Sequence, residues 1–240
     1  MRSESGIDGV LLVDKEPGMT SHDVVAITRR ALDTKKVGHC GTLDPLATGL
    51  LLITIGRGTK IQDLLMSEDK EYVGTLELGK TTDSQDADGE VTATLPVPEF
   101  SRAQFDEAFA KFHGDFYQTP PMVSAIKKDG VPLYKLARQG KEVEREPRFV
   151  HVYAHEILAV RMPEIDFRVV CSKGFYVRTY AHEIGQSLGC GAHLKALRRT
   201  KSGRFDVEGS VTIKELKAGP LDAIAARVLS LPAVSRLRGA

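Results

Sequence analysis

The order of apolar and polar residues along the chain predicts a series of strands. Residues 9–13 and the apolar run at 50–55 have the composition of buried strands. Residues 70–78 alternate apolar and polar side chains, as a half-buried strand does. Two longer segments, 150–160 and 165–171, predict a further pair of strands.

Helix starts are marked by residues that cap a first turn. Thr20 with Asp23, and Ser101 with Gln104, have the spacing of a capping box. Each pair precedes a segment with apolar residues at helical spacing, so each predicts a helix. The remaining predicted elements are short helices at 59–65 and 133–137, a helix ending at Leu188, one or two helices within 213–231, and a short strand at 123–126.

Residues 36–49 combine several glycines with a carboxylate, directly ahead of the buried apolar run. The glycines at 38, 41 and 49 allow a positive φ or a close approach of other backbone. Asp44 lies among them, and Pro45 favours an extended conformation at Asp44. A carboxylate in a stiff loop that leads into a core strand is a well-anchored reactive group. On this stretch alone, a turn opened by Asp-Pro is an equally good explanation.

Composition and cysteine usage limit the class of protein. The 240 residues fit one large domain or one domain with a smaller addition. A net charge of +1 is too small by itself to indicate a nucleic-acid partner. The three cysteines form no CxxC pair, which favours free thiols in a reducing cytoplasm. Without a signal-peptide core or a membrane-length apolar run, we expect a cytoplasmic protein that does not enter a membrane.

Positive charge is concentrated in two segments. Residues 127–148 contain seven Lys or Arg, four acidic residues and two glycines, which predicts a mobile basic insertion. A solvated charged surface explains the same composition. Residues 173–204 contain seven Lys or Arg and one acidic residue, Glu183. A nearly neutral protein with one strongly basic segment indicates a polyanion-binding surface on one face.

Two motifs match known sites only superficially. The acidic turn at 83–89 lacks a bidentate glutamate at calcium-loop spacing, so we interpret it as a solvated turn. Residues 185–189 match the G-x-S-x-G pattern of serine hydrolases, but a helical pattern precedes the serine where a strand is required. Those glycines therefore indicate a helix end. His182 and His193 are not at metal-ligand spacing, and we expect no metal site.

The stretch around Asp44 is the first of five blocks that occur together in one known family. It reads Gly38-His39-Cys40-Gly41-Thr42-Leu43-Asp44-Pro45-Leu46-Ala47-Thr48-Gly49. The others are Lys70-Glu71-Tyr72, Pro120-Pro121-x-x-Ser124-Ala125-x-Lys127, Gly174-x-Tyr176-Val177-Arg178-Thr179, and Leu197-Arg198-Arg199-Thr200-x-x-Gly203. In this order, across about residues 8 to 206, they resemble the motifs of TruB-type tRNA pseudouridine synthases.

The resemblance implies the pseudouridine synthase fold. This is a mixed α/β (α+β) fold with a long, mostly antiparallel sheet, flanking helices and a catalytic cleft. The catalytic domain would span 8–210, with the mobile basic insertion at 127–148. A disordered N-terminus at 1–7 and a short helical tail at 211–240 would flank it.

The resemblance also implies the reaction. Family members convert the uridine at position 55, in the T-loop of tRNA, to pseudouridine, acting on a flipped-out base without a metal or cofactor. The expected partner is the T-arm of tRNA. We expect a monomer that needs no obligate protein partner.

The matching positions carry the family's catalytic roles. Asp44 matches the catalytic carboxylate, and carboxylates can act as nucleophiles. Whether it attacks the sugar, attacks the base or removes a sugar proton stays open. Arg178 matches the arginine that pairs with this aspartate and keeps it charged and oriented. Tyr72 matches the tyrosine that stacks on the target base and is a candidate for the C5 proton transfer.

Further matches concern RNA binding. Tyr176 and Leu197 match residues that pack around the flipped base. His39 matches the histidine that enters the T-loop where the uridine has left. The candidate contacts to the RNA backbone are Lys127, Lys173, Lys195, Arg198 and Arg199.

One departure and two alternatives accompany this interpretation. Family members commonly carry a C-terminal RNA-binding domain of the PUA type, and about 35 residues after Phe205 are too few for one. A guide-RNA-dependent, dyskerin-type synthase is one alternative, although that branch needs partner proteins and usually a basic tail. A non-catalytic RNA-binding or tRNA-folding protein is the other. The presence of both Asp44 and Arg178 argues against it, because binding alone needs no ion-paired acid.

Overall fold

The computed structural model describes residues 6–124, 126–128, 130–137, 139–141 and 143–239. The chain divides into two compact units. Unit 1 comprises Met1–Tyr72 and Leu197–Ala240, and unit 2 comprises Val73–Ala196. Most of the predicted disordered N-terminus, residues 1–5, lies outside the described residues.

Strands and helices alternate along the chain. The strands are β1 Gly9–Lys15, β2 Val37–Cys40, β3 Thr48–Ile55, β4 Lys70–Leu78, β5 Lys80–Thr82, β6 Val91–Thr94, β7 Gly114–Gln118, β8 Lys127–Lys128, β9 Val131–Pro132, β10 Arg148–Arg161, β11 Glu164–Cys171, β12 Ala192–Ser202, β13 Phe205–Asp206 and β14 Val211–Thr212. The helices are α1 Ser21–Ala31, α2 Gln62–Met66, α3 Arg102–Ala110, α4 Leu133–Ala137, α5 Val177–Ser187, α6 Ile213–Ala218, α7 Leu221–Ala225 and α8 Leu231–Arg238. A 3-10 helix, Gly56–Ile61, leads into α2.

In unit 1, strands β14, β1, β3 and β12 lie side by side, with β2 paired to β3 and β13 paired to β12. β1 and β3 are antiparallel, from Gly9 opposite Ile55 to Lys15 opposite Gly49. β3 and β12 are parallel, and Arg199 lies opposite Gly49. The apolar run predicted as a buried strand is β3, whose residues from 50 to 55 are all fully buried.

The core of unit 1 uses both ends of the chain. Its cluster of buried apolar side chains consists of Val10, Cys40, Leu50, Leu52, Leu65, Phe205 and Val234. The backbones of Val10 and Leu229 exchange two hydrogen bonds, of 2.9 and 2.8 Å. The segment after residue 210 forms β14, the helices α6 and α7 within the predicted range 213–231, and a further helix, α8, which begins at the end of that range. It packs into unit 1 rather than extending from it.

In unit 2, the strand order is β12, β4, β11, β10 and β7, where β4 and β12 contribute the parts that belong to this unit. β10 is antiparallel to both β11 and β7. Helices α3 and α5 pack on this sheet through an aromatic cluster. The rings of Phe109, Tyr180 and Phe167 lie 5.8–5.9 Å apart in edge-to-face contacts. Such pairs add stability beyond the area they bury.

The local predictions are mostly confirmed. β4 alternates buried and half-buried residues along its whole length, as its sequence predicts. Both capping boxes form, since Thr20 with Asp23 and Ser101 with Gln104 exchange side-chain and backbone hydrogen bonds. The mixed α/β fold, with its mostly antiparallel strands and flanking helices, is confirmed.

Two local predictions are wrong. Residues 123, 124 and 126 are not in a strand, whereas the stretch predicted as a loop around Asp44 begins with strand β2. β2 forms because its four residues pair with the end of β3, from Val37 opposite Ile55 to Cys40 opposite Leu52. Glycine is uncommon in strands, so the glycines in this stretch favoured the prediction of a loop. No helix in the described part of the chain is long and apolar enough to cross a membrane.

The pairing of β3 with β12 depends on the absence of a side chain at Gly49. Its φ is +97°, and a Cβ there would lie 2.3 Å from the carbonyl oxygen of Arg199. We expect Gly49→Ala to destabilise the protein by about 3 kcal/mol or more, because it adds backbone strain and separates two strands. Gly209→Ala is the matched control, since Gly209 also has a positive φ but faces open space. It should cost about 1–2 kcal/mol. Equal losses in urea unfolding would contradict the close-packing explanation.

Candidate active site

Asp44 is half-buried in the short loop between β2 and β3. The loop turns tightly, because the carbonyl oxygen of Asp44 accepts a 3.0 Å hydrogen bond from the amide of Ala47. The carbonyl oxygen of Pro45 accepts hydrogen bonds from the amide of Gly18 at 2.9 Å and from Nζ of Lys15 at 3.3 Å. The backbone that carries the carboxylate is therefore held by another part of unit 1, as a stiff loop requires.

Arg199 supports the same loop from β12. Its side chain is 1% exposed, Nε donates to the carbonyl oxygen of Leu50 at 2.7 Å, and Nη2 donates to that of Gly41 at 3.1 Å. This burial leaves little of the guanidinium for a phosphate, and contact of Arg199 with the RNA backbone stays a prediction. Arg199 joins the start of the Asp44 loop to β3.

The other predicted RNA contacts differ in what surrounds them. Arg198 forms a fork with Asp14, with N–O distances of 2.9 and 2.7 Å. Lys195 donates to Glu77 at 2.8 Å and to Glu164 at 2.6 Å. Carboxylates thus compensate both charges. Lys173 is exposed after β11, and the side chain of Lys127 lies outside the described residues. For these four residues, contact with RNA stays a prediction.

His39 lies on β2 with its ring edge-to-face against that of His22, at a centroid distance of 5.2 Å. Burial lowers the pKa of His39 to about 4, and the positive charges of His22 and Arg199 act in the same direction. Among the described residues, its buried Nδ1 has no hydrogen-bond partner. The ring is therefore neutral at physiological pH and suited to contact with a flat, uncharged surface.

Tyr72 and Leu197, both 8% exposed, lie at the edge of unit 1 where β4 and β12 pass into unit 2. Tyr72 is one of the buried positions of β4. The carbonyl oxygen of Leu197 accepts a hydrogen bond of 3.3 Å from the hydroxyl of Thr48, at the end of the Asp44 loop. Leu197 and the Asp44 loop are thereby connected within unit 1.

In unit 2, Arg178 is buried in the first turn of α5, with 4% of its surface exposed. Nη1 donates to the carbonyl oxygen of Ser84 at 3.0 Å, and Nη2 donates to that of Val123 at 2.8 Å. Nε lies 3.6 Å from Oδ2 of Asp86. Arg178 is therefore fixed in orientation by contacts with two other chain segments.

Asp86 is a candidate site residue that the sequence reasoning missed. The turn at 83–89 was interpreted as solvated, but Ser84 and Asp86 are buried, at 7% and 4% exposed. Oδ1 of Asp86 accepts hydrogen bonds from the hydroxyl of Ser84 and the amide of Asp88. No signal in a single sequence distinguishes Asp86 from its exposed neighbours Asp83 and Asp88, because its ionic partner, Arg178, lies far away in the chain.

Tyr176 caps the N-terminus of α5 and is half-buried. The side-chain amide of Gln118 accepts from the amide of Tyr176 at 2.8 Å and donates to its carbonyl oxygen at 3.1 Å. Gln118 is itself 1% exposed. This pair of bonds fixes the backbone of Tyr176, two residues before Arg178.

The predicted basic insertion contains the β8–β9 hairpin and α4. A cavity of about 400 Å³ lies beside it, lined by Pro120, Ile126, Leu133 and residues 144–148. Nη1 of Arg145 donates to the carbonyl oxygen of Pro120 at 3.2 Å. Residues 129, 138 and 142 of the segment lie outside the described residues. The mobility of the insertion and its contact with RNA stay predictions.

The remaining motifs have structural explanations. The G-x-S-x-G match falls at the end of α5, where Ser187 is the last helical residue and Gly189 has a φ of +77°. This confirms the interpretation as a helix end. Within the described residues, no three His, Cys, Asp or Glu side chains are grouped so as to hold a metal ion.

The predicted residues are thus distributed over both units. Unit 1 contains Asp44, His39, Tyr72, Leu197, Arg198 and Arg199, and unit 2 contains Arg178, Tyr176, Lys173, Lys195 and Lys127. Within unit 1, the Asp44 loop is hydrogen-bonded to Leu197 and Arg199, which both lie on β12. Within unit 2, the start of α5 places Tyr176 and Arg178 together. The pairing of Arg178 with Asp44 stays a prediction.

Comparison of the sequence with protein families gives two adjoining matches. Residues 29–177 match the model of the TruB family pseudouridylate synthase, N-terminal domain. Residues 178–229 match the tRNA pseudouridylate synthase B C-terminal domain.

Curated proteins and solved structures agree with these matches. The chain is 59% identical over 223 residues to tRNA pseudouridine synthase B of Opitutus terrae, covering 93% of this chain and 92% of the relative. It is 52% identical to the protein of that name from Syntrophotalea carbinolica, covering 88% and 69%. A chain in the crystal structure of a Cbf5-Nop10-Gar1 complex superposes with a TM-score of 0.73 at 28% identity. The superposition covers 96% of this chain and 62% of that one.

The neutral state of His39 has a measurable consequence. Its pKa of about 4 lies below the ordinary value of 6.5. The stability that depends on the neutral ring is therefore fully present above pH 6.5 and is lost as the pH falls towards 4. We expect the His39 resonance in a ¹³C-histidine NMR titration to stay constant between pH 5.5 and 8. A His39→Gln variant assigns the resonance and should flatten the decrease of stability between pH 6.5 and 4. A midpoint near 6.5 would contradict this burial effect.

Proposed function

Because the chain belongs to the TruB family of pseudouridylate synthases, we propose that it converts uridine 55, in the T-loop of tRNA, to pseudouridine. The observation that carries the proposal is the identity of 59% to a tRNA pseudouridine synthase B over nearly the full length of both chains. The arrangement of the Asp44 loop and of Arg178 is consistent with this chemistry.

The reaction needs few chemical groups. The bond between C1′ and N1 is broken, the base turns, and a bond between C1′ and C5 forms. The proton at C5 is then removed, and N1 takes up one proton in exchange. No atom is gained or lost overall. An aspartate is ordinarily ionised at neutral pH, and its carboxylate can act as a nucleophile or a base. We assign this role to Asp44, because it matches the catalytic aspartate of the family, and the hydrogen bonds around its loop support the assignment.

The proposed base-binding residues are mostly apolar or neutral. Tyr72 would stack on the target base, and Tyr176 with Leu197 would pack around it. The neutral ring of His39 would enter the T-loop in place of the flipped base and recover part of the lost stacking. A protonated histidine would have to be desolvated at that point, at a higher free-energy cost.

Arg178 is proposed to act as the orienting cation. A guanidinium held by backbone carbonyls and by Asp86 keeps one geometry through the reaction, which matters for a group that stabilises a charge. Its role towards Asp44 follows from the family resemblance. The buried Asp86 would help to keep the guanidinium aligned.

We propose that the chain acts without a guide RNA or partner protein. The experiment that tests this is incubation of the purified protein alone with an unmodified tRNA transcript, followed by mapping of pseudouridine. Modification at position 55 supports the proposal. No modification unless a guide RNA and partner proteins are added would support the dyskerin-type alternative. Binding without any modification would support an RNA-binding or tRNA-folding protein.

Removal of the Asp44 charge should abolish catalysis but not binding. Asp44→Asn keeps the shape of the side chain, so we expect no detectable pseudouridine and a Kd for tRNA within about threefold of the original. Asp63→Asn is the control, since Asp63 is an exposed carboxylate on α2 of the same unit. Measurable turnover by Asp44→Asn, in protein free of the parent enzyme, would overturn the assignment.

The geometry of Arg178 should matter as much as its charge. Lysine cannot replace a fork that donates to two carbonyl oxygens at once. We expect Arg178→Lys to lower kcat by about 100-fold or more, with a smaller change in the Kd for tRNA. Arg102→Lys, at an exposed ion pair on α3, should leave both quantities unchanged. A collapse of affinity with normal turnover of bound tRNA would instead identify Arg178 as a phosphate ligand.

A further inference from the structure

The residue before Asp44 is held by a single side chain. Oγ of Ser21 donates to the carbonyl oxygen of Leu43 at 3.1 Å and accepts from the amide of Leu43 at 2.9 Å. One hydroxyl therefore satisfies both backbone polar groups of that residue. Ser21 is 1% exposed and Leu43 is 3% exposed, so water does not compete for these groups.

The hydroxyl is held in place by the start of α1. Ser21 is the first residue of this helix, and Thr20 caps it. The Asp23 carboxylate accepts from both the amide and the hydroxyl of Thr20, at 2.7 Å each, while the amide of Asp23 donates to the Thr20 hydroxyl. A buried serine at this position has little rotational freedom. Its direction is therefore set by the helix rather than by the loop.

The two neighbours of Asp44 are held independently. Leu43 is bonded to Ser21, whereas the carbonyl oxygen of Pro45 is bonded to Gly18 and Lys15. A backbone fixed on both sides of Asp44 limits the directions that its carboxylate can take. Loss of the Ser21 hydrogen bonds alone would allow the peptide plane between Leu43 and Asp44 to rotate. The hydrogen bonds to the carbonyl oxygen of Pro45 would remain.

We propose that Ser21 is a positioning residue for the reaction, which acts by fixing the peptide group that precedes Asp44. This inference rests on the proposed function, in which Asp44 is the catalytic carboxylate. Reacting groups must be held within a fraction of an ångström, and a displacement of about 1 Å can cost 100-fold in rate. Ser21 would not contact the RNA and would contribute nothing to its binding.

The chain offers a matched control on the same helix. Thr28 is also fully buried in α1, and its hydroxyl donates to the carbonyl oxygen of Val24 at 2.9 Å, within the helix itself. Ser21→Ala and Thr28→Val each remove one buried hydroxyl from α1. Only the first removes a bond to the Asp44 loop.

The experiment measures kcat, KM and backbone amide exchange for the parent protein, Ser21→Ala, Thr28→Val and Asp44→Asn on one tRNA transcript. For Ser21→Ala we expect kcat to fall by about 10- to 100-fold, with KM within about threefold. The amide of Leu43 should exchange faster in hydrogen–deuterium exchange, while the rest of α1 keeps its protection. Thr28→Val should change neither kcat nor the exchange at Leu43.

The outcomes separate this inference from the proposed function. If Asp44→Asn is inactive while Ser21→Ala has the parent kcat, the positioning role is wrong and the proposed function stands. If Asp44→Asn is active, the catalytic role of Asp44, and with it this inference, is wrong. If the parent protein forms no pseudouridine on the transcript, the proposed function itself is wrong. Equal losses in Ser21→Ala and Thr28→Val, with general loss of exchange protection, would reduce Ser21 to a stabilising residue and overturn the inference.

Discussion

The buried guanidinium of Arg199 is the interaction on which the rest of unit 1 depends. A cation removed from water costs several kcal/mol unless hydrogen bonds and nearby polar groups compensate it. The carbonyl oxygens of Leu50 and Gly41 provide this compensation. They belong to β3 and to the start of the Asp44 loop, so the charge can be satisfied only when both are in place. Burial is the main reason why the pKa of His39, next to that loop, is lowered, and the charge of Arg199 acts in the same direction.

In unit 2, Arg178 is a buried guanidinium that, like Arg199, joins separate chain segments. Its carbonyl partners belong to the turn at 83–89 and to the segment that leads into the basic insertion. Any displacement of Val123 would therefore be transmitted to the orientation of the guanidinium. The hydrogen bond between Arg178 and Val123 therefore joins a residue proposed to act in catalysis to the segment that precedes the insertion proposed to contact RNA.

Sequence reasoning succeeded where the controlling interactions are local. The alternation in β4 and the capping boxes at Thr20 and Ser101 depend on residues a few positions apart, and all three were predictable. The motif residues were identified by family resemblance, since a buried tyrosine such as Tyr72 is otherwise indistinguishable from ordinary core packing. The burial of Asp86 and Arg199 was not predictable. The ionic partner of Asp86 and the hydrogen-bond partners of Arg199 are far away in the chain, and arginines and aspartates are usually exposed.

Unit 1 is built from two separate segments of the chain, and this has a consequence for folding during synthesis. Unit 2 is one uninterrupted segment, whereas unit 1 needs both the first and the last parts of the chain. During translation, residues 73–196 are complete before Leu197 leaves the ribosome, and a domain folds as a unit once its residues are available. β1 and β3 have already been made at that stage, but Arg199 and β14 have not. The loop that carries Asp44 therefore lacks the hydrogen bonds from Arg199 until β12 has been synthesised.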